Sequence, residues 1–167
     1  MISIFQHTPI WVWALFVFLL YRGVQALRPR QMGLARLLFL PVLFFIWAVM
    51  SIMAELQQLR WGIAGFLICL IVGFALGWQL WKGRVSEITF DPKTRTILRP
   101  GSPWVLILIL FAFVAKFILH AFLAHRQDLH SDVKFNFLFG ATSGLVDGIF
   151  WGETSVALRI FWAKKNL

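Results

Sequence analysis

Lys116 stands in the middle of ILILFAFVAKFILHAFLAHR, residues 107–126, an apolar run long enough to cross a bilayer. A cation at that depth costs at least ~2.5–3.5 kcal/mol on insertion scales, and such residues turn toward a bundle interior, where they pair or meet water. A carboxylate is the natural partner, and Asp147 in the last apolar run is the best candidate. At the helical rise per residue, Lys116 lies ~12 Å and Asp147 ~18 Å below the same surface, a difference the lysine stem spans. The spacing predicts a Lys116–Asp147 pair.

His120 lies one turn above Lys116, and Ser143 one turn above Asp147. With Asn136 at its mouth, the set predicts a polar patch in the outer half of the bundle. Two chemistries fit it. One is a site that binds or passes a small polar or charged species, with His120 as a proton-responsive neighbour. The other is a structural ion pair that sets helix register. A second group, Arg22, Gln79, Glu153 and Arg159, falls near one level toward the inner side, where Glu153 is expected to pair with Arg22 or Arg159 as an interfacial salt bridge. If both groups faced one cavity, they would form a stepped polar path.

Positioning such residues requires membrane helices. The chain has 167 residues, 60% hydrophobic and 17% aromatic, whereas soluble domains are close to half apolar. Its length suits a single domain. Apolar runs near the ~20 residues needed to span the hydrocarbon core occur at 10–27, 34–54, 61–81, 103–124 and 135–162. The first has no basic residue before it and no small-residue cleavage pattern behind it, so it is expected to remain as a helix rather than leave as a signal peptide.

Orientation follows from the basic residues of the connections. With the N-terminus outside, twelve fall at cytoplasmic ends (Arg22, Arg28, Arg30, Arg36, Lys82, Arg84, Lys93, Arg95, Arg99, Arg159, Lys164 and Lys165), against Arg60, Arg126 and Lys134 outside. That placement explains the net charge of +9 without nucleic acid. Trp11, Trp13 and Trp61 fall at outer ends and Trp78, Trp81, Trp104 and Trp162 at inner ends, as headgroup-level rings should. Trp47 and Trp151 are assigned to helix packing. Between helices 3 and 4, EITFDPKTRTIL alternates apolar and polar residues (Ile88, Phe90, Ile97) around an Asp91-Pro92-Lys93-Thr94 turn, which predicts a cytoplasmic β-hairpin over about 86–98. The expected fold is an all-α integral membrane protein, a five-transmembrane-helix bundle with its N-terminus outside, its C-terminus cytoplasmic and this short hairpin.

Gly140, Gly144, Gly148 and Gly152 recur every four residues and share one helix face, which lets another backbone approach closely in lipid. Gly73 and Gly77 are the expected partner face. Packing within one chain is the favoured reading, with a homodimer or membrane-protein partner as the alternative. Pro41 either kinks helix 2 or sits in its first turn.

Other chemistries are poorly supported. Cys69 is the single cysteine, so no disulfide or thiol cluster forms within the chain. His7, His120, His125 and His130, with Asp128 and Asp132, match no compact ligand signature, so no metal and no cofactor are expected. The ATSG segment around Ser143 loosely resembles the serine motif of rhomboid-type intramembrane proteases, with His120 as base. Its leading glycine is Ala141 here and no oxyanion donor can be named, so the chain is not expected to be an enzyme.

HTPIWVWAL, GWQLWKGRVSEITFDPKTRTILRPGS and GLVDGIFWGET resemble segments of small uncharacterised bacterial inner-membrane proteins. The layout is also similar to CcdC-like membrane proteins, linked by name to cytochrome c biogenesis. That similarity is architectural, without a CxxCH motif, and implies an accessory role rather than an activity.

Overall fold

The computed structural model describes residues 10–83, 89–91, 96–99 and 101–165. His7, Arg84, Ile88, the turn at 92–94 and Arg95 lie outside the described residues, as do the side chains of Trp11 and Trp13. Five helices occur where the apolar runs predict them: α1 (Ile10–Gln25), α2 (Leu34–Glu55), α3 (Leu59–Lys82), α4 (Pro103–His125) and α5 (Val133–Lys165). Among the described residues, α2, α3 and α4 are long and apolar enough to cross a membrane. α5 has 33 residues, ~50 Å at the helical rise, and carries Asp147, Glu153 and Arg159 along its length.

Apolar side chains face outward on a scale that water does not favour. Ile63, Leu67, Ile68, Ile71 and Leu80 of α3 and Met50 and Met53 of α2 are exposed, while Lys116, Asn136, Ser143, Asp147, Glu153 and Thr154 are buried. This inside-out distribution belongs to a protein whose outer solvent is lipid. Trp61, Trp104 and Trp162 are exposed, whereas Trp81 is buried in the core.

One end of the bundle carries a small antiparallel sheet of β1 (Arg30–Met32), β2 (Thr89–Asp91) and β3 (Thr96–Arg99), in the order β1-β3-β2. Phe90 faces Ile97 across β2 and β3, the pairing an alternating hairpin implies. The expectation of a two-stranded hairpin misses β1, which pairs Met32 with Ile97 and ties the α1–α2 connection to the same sheet. RQM is too short to carry an alternating signal, and it becomes a strand because β3 offers it a free edge. Beside it, Ser102 N–H donates to the Ala26 carbonyl (2.8 Å). Gly101 lies so close to Leu27 that a Cβ would collide with the Leu27 carbonyl.

α5 packs most extensively on α3, and the two run parallel. A Cβ on Gly140, Gly144, Gly148 or Gly152 would meet the carbonyl oxygens of Gly62, Phe66, Leu70 and Phe74 in turn, and one on Gly73 or Gly77 would meet those of Leu145 and Ile149. Carbonyls stepping four residues along one helix therefore face bare Cα atoms four residues apart on the other, an approach that dispersion and Cα–H···O contacts reward. Gly62 and Gly65 extend this seam and were absent from the expected partner face, because the alignment with Gly73 spans three turns rather than one. α1 packs on α4, and α2 lies against α5. Pro41 is buried inside α2, past its first turn.

Candidate functional site

With the glycine face of α5 turned to α3, the neighbouring face of the same helix is turned to α2 and α4. It presents Asn136, Phe139, Ser143, Asp147, Phe150 and Thr154, all buried. α4 contributes Lys116 from its inward side, along with Ile109, Ala112 and Phe113.

A small cavity opens where these helices meet, lined by Phe44, Ala48, Ala112, Lys116, Thr142, Ser143, Val146 and Asp147. Its volume is about 10 Å³ measured as space for the centre of a water-sized sphere, room for about one water. Lys116 is 6% exposed and Asp147 1%. The direct pair expected from spacing does not form: among the described residues, neither Nζ of Lys116 nor either carboxylate oxygen of Asp147 has a hydrogen-bond partner, and no ion pair joins them. The lysine stem runs instead toward two rings, with Nζ 4.9 Å from the Phe139 centroid and 5.8 Å from that of Trp47. Depth matching placed both groups at one site, but it carries no information about aromatic rings that compete for the ammonium.

Two cation–π contacts, desolvated here, contribute about 2 kcal/mol each. Taking an ammonium and a carboxylate out of water costs several kcal/mol per ion. The rings alone therefore do not compensate the pair. Both residues belong to the wall of the same small cavity.

His120 Nδ1 donates to the Lys116 carbonyl (2.8 Å), and its ring meets Phe139 edge-on. Ser143 Oγ donates to the Phe139 carbonyl (2.8 Å) and Thr142 Oγ1 to that of Leu138 (2.9 Å). These bonds engage Ser143 and His120 locally, and no hydrogen bond joins the two among the described residues.

Asn136 does not sit at the mouth of this cavity. It is fully buried, and its Nδ2 donates to the carbonyls of Leu129 (3.1 Å), His130 (3.0 Å) and Asp132 (2.6 Å) while Oδ1 accepts from Gln58 N–H (3.1 Å). Asn136 thus fastens the start of α3 to the 3₁₀ turn Gln127–His130. His130 Nδ1 donates to the Glu55 carbonyl, and Asp132 accepts from Phe135 N–H at the start of α5. The outer-side histidines and aspartates are thereby engaged in loop construction: His125 bonds the Ala121 carbonyl, and Asp128 pairs with Arg126 at 2.6 Å.

The second predicted group is not one cluster. Gln79 and Arg159 are exposed, with Arg159 stacked over Trp78 (5.2 Å) and Arg22 over Phe39 (5.3 Å). Glu153 instead lines a second cavity, about 20 Å³ by the same measure, with Met32, Arg36, Leu37, Leu40, Pro41, Val105, Phe150 and Thr154. Arg36 was counted only as a cytoplasmic-end charge. Although exposed, it shares the lining of this cavity with Glu153, a neighbourhood set by packing.

A family profile described as a family of unknown function (DUF6622) matches residues 1–166 of the chain. An uncharacterised protein of Pasteurella multocida (strain Pm70) is 40% identical over 93 residues, 56% of this chain and 69% of that protein. No solved structure matches. These findings agree with the resemblance to small uncharacterised bacterial proteins and lend none to the CcdC-like architecture.

Proposed function

We propose that this chain, which belongs to the DUF6622 family of unknown function, is a non-enzymatic multi-pass protein of the bacterial inner membrane that binds or passes a small polar or charged species at Lys116 and Asp147. In this reading all five helices cross the bilayer, with the N-terminus outside and the sheet in the cytoplasm, since the basic residues concentrate at the sheet end. The carrying observation is that two buried ionisable residues, whose heads have no hydrogen-bond partner among the described residues, line one cavity. Buried polar groups in a folded protein are paired as a rule, so such heads mark a place where a third participant supplies the missing contacts.

The test is an experimental structure at a resolution that shows waters and ions. One bound species in contact with both Nζ of Lys116 and a carboxylate oxygen of Asp147 is expected, and a cavity that is dry would remove the basis of the reading. Tagging the loop at 82–102 checks orientation, because an outward location contradicts it.

The alternative is an accessory or assembly protein whose buried charges are structural. What favours it is the aromatic surround of Lys116, which holds the ammonium without any ligand. The glycine face of α5 is occupied by α3, so a homodimer would use another surface.

A further inference from the structure

The two cavities are walled by the same three helices. α2 supplies Phe44 and Ala48 to the first and Arg36, Leu37, Leu40 and Pro41 to the second; α4 supplies Ala112 and Lys116, then Val105; α5 supplies Ser143 and Asp147, then Phe150, Glu153 and Thr154. Phe44 lines one cavity and Phe150 the other, and their rings stack with centroids 5.1 Å apart and planes at 16°. This aromatic pair links the wall of one chamber to the wall of the other. Asp147 and Glu153 are six residues apart on α5, ~9 Å along the axis, too far for direct proton transfer and short enough for one or two waters.

Size and charge narrow what the chambers take. About 10 and about 20 Å³ admit one water and one or two waters respectively, and no organic solute. One lysine and one aspartate stand in the wall of the first chamber, so a metal cation is repelled by Lys116 and an anion by Asp147. A water suits both, accepting from Nζ and donating to the carboxylate. In the second, Arg36 and Glu153 again bring opposite charges to one lining. Pro41, having no N–H, cannot donate to the Leu37 carbonyl.

We propose that the small species is the proton, that the two chambers are successive stations for it, and that the Phe44–Phe150 stack is the barrier between them. This rests on the reading of Lys116 and Asp147 above and names its substrate. The elementary step is balanced: an N–H bond of the Lys116 ammonium breaks as its proton joins the bridging water, and another O–H bond of that water breaks as its proton joins an oxygen of Asp147. Amine and carboxylic acid replace ammonium and carboxylate, and the water is restored. Onward passage to Glu153 requires the rings to part and admit water. The titratable groups facing the first chamber are Lys116 from α4 and Asp147 from α5, with His120 one turn along α4 bonded to the Lys116 backbone and none from the α2 wall.

The test is proton entry into sealed phosphatidylethanolamine/phosphatidylglycerol vesicles holding the full-length protein and a trapped pH dye, driven by a potassium gradient with valinomycin. Entry at least about tenfold faster than in protein-free vesicles is expected, with Asp147→Asn and Lys116→Met returning it toward the protein-free rate, a barrier change of about 1.4 kcal/mol or more. Asp147→Glu should retain most of the flux, which separates loss of the proton carrier from loss of the fold. Phe150→Ala should raise the rate severalfold, since the barrier ring is gone. Wild-type and Phe150→Ala vesicles as tight as empty ones, or flux untouched by Asp147→Asn and Lys116→Met, would overturn the relay. If vesicles stay tight while a bound species bridges Lys116 and Asp147 in the experimental structure, the relay fails and the binding reading stands. If the cavity is dry as well, both fail.

Discussion

Asn136 and the Lys116–Asp147 chamber are both buried polar features of the same helix pairings, yet they are finished in opposite ways. Asn136 sits where two loops cross, and every polar atom of its amide is bonded. Lys116 and Asp147 line one cavity, with their heads unbonded among the described residues. A fully satisfied buried amide rigidifies and specifies the fold. An unsatisfied pair beside a cavity costs stability, and a chain retains such a cost where function uses it. The contrast separates architecture from the proposed site more sharply than burial does, since both regions are almost completely buried.

The largest effect is expected from Gly148→Leu, which removes the seam that positions both regions. Any side chain there runs into the Leu70 carbonyl and the backbone of Gly73 and Phe74, an overpacking against backbone that exceeds ~4 kcal/mol. No monodisperse protein should be recovered in detergent; recovery with a wild-type melting temperature would show that α3 and α5 do not depend on this contact. Next comes Asn136→Ala, which strands the Gln58 N–H and takes one of two donors from each of three carbonyls. A loss of ~2–4 kcal/mol is expected, read as a lowered thermal midpoint in detergent.

The double change Lys116→Met with Asp147→Leu should go the other way. Replacing buried charges by apolar residues of similar size is often neutral or stabilising, so its midpoint should equal or exceed that of wild type while Lys116→Met alone falls below it. A double variant as unstable as Asn136→Ala would collapse the distinction and make the chamber architectural.

The smallest effect belongs to the exposed Arg126–Asp128 pair. The hydrogen bond from Arg126 holds the Asp128 carboxyl below its ordinary value. A depressed carboxyl contributes stability that is present above its unfolded value and lost as pH falls through the folded one. The window thus opens only in acid, below about pH 4. Being fully solvated, Asp128→Asn should leave the melting temperature at neutral pH unchanged. A clear drop would mean that the 3₁₀ turn relies on this pair as well as on Asn136.

Much of the fold was legible. The helix limits fall within three residues of the apolar runs, and the four-residue glycine repeat marked the α5 face that α3 occupies. Asn136 was misread as a cavity mouth because an amide in an apolar run has the same signature whether it faces a ligand or a loop. Its partners, four backbone groups on other segments, leave no trace in side-chain type. Arg36 and β1 were missed for the same reason: each is defined by what lies opposite, and that is set tens of residues away.

By itself the amino-acid sequence determined the apolar spans, the end of the molecule that gathers positive charge, and the presence of buried ionisable groups on α4 and α5, because these follow from local hydropathy and helical period. Only the tertiary structure decided that Lys116 turns to Phe139 and Trp47 instead of touching Asp147, that both line one water-sized cavity, and that Phe44 of that cavity stacks on Phe150 of the next. Those relations depend on the rotation of each helix about its own axis, which is set by the close backbone seam between α3 and α5 and by side chains meeting across helices far apart in the chain.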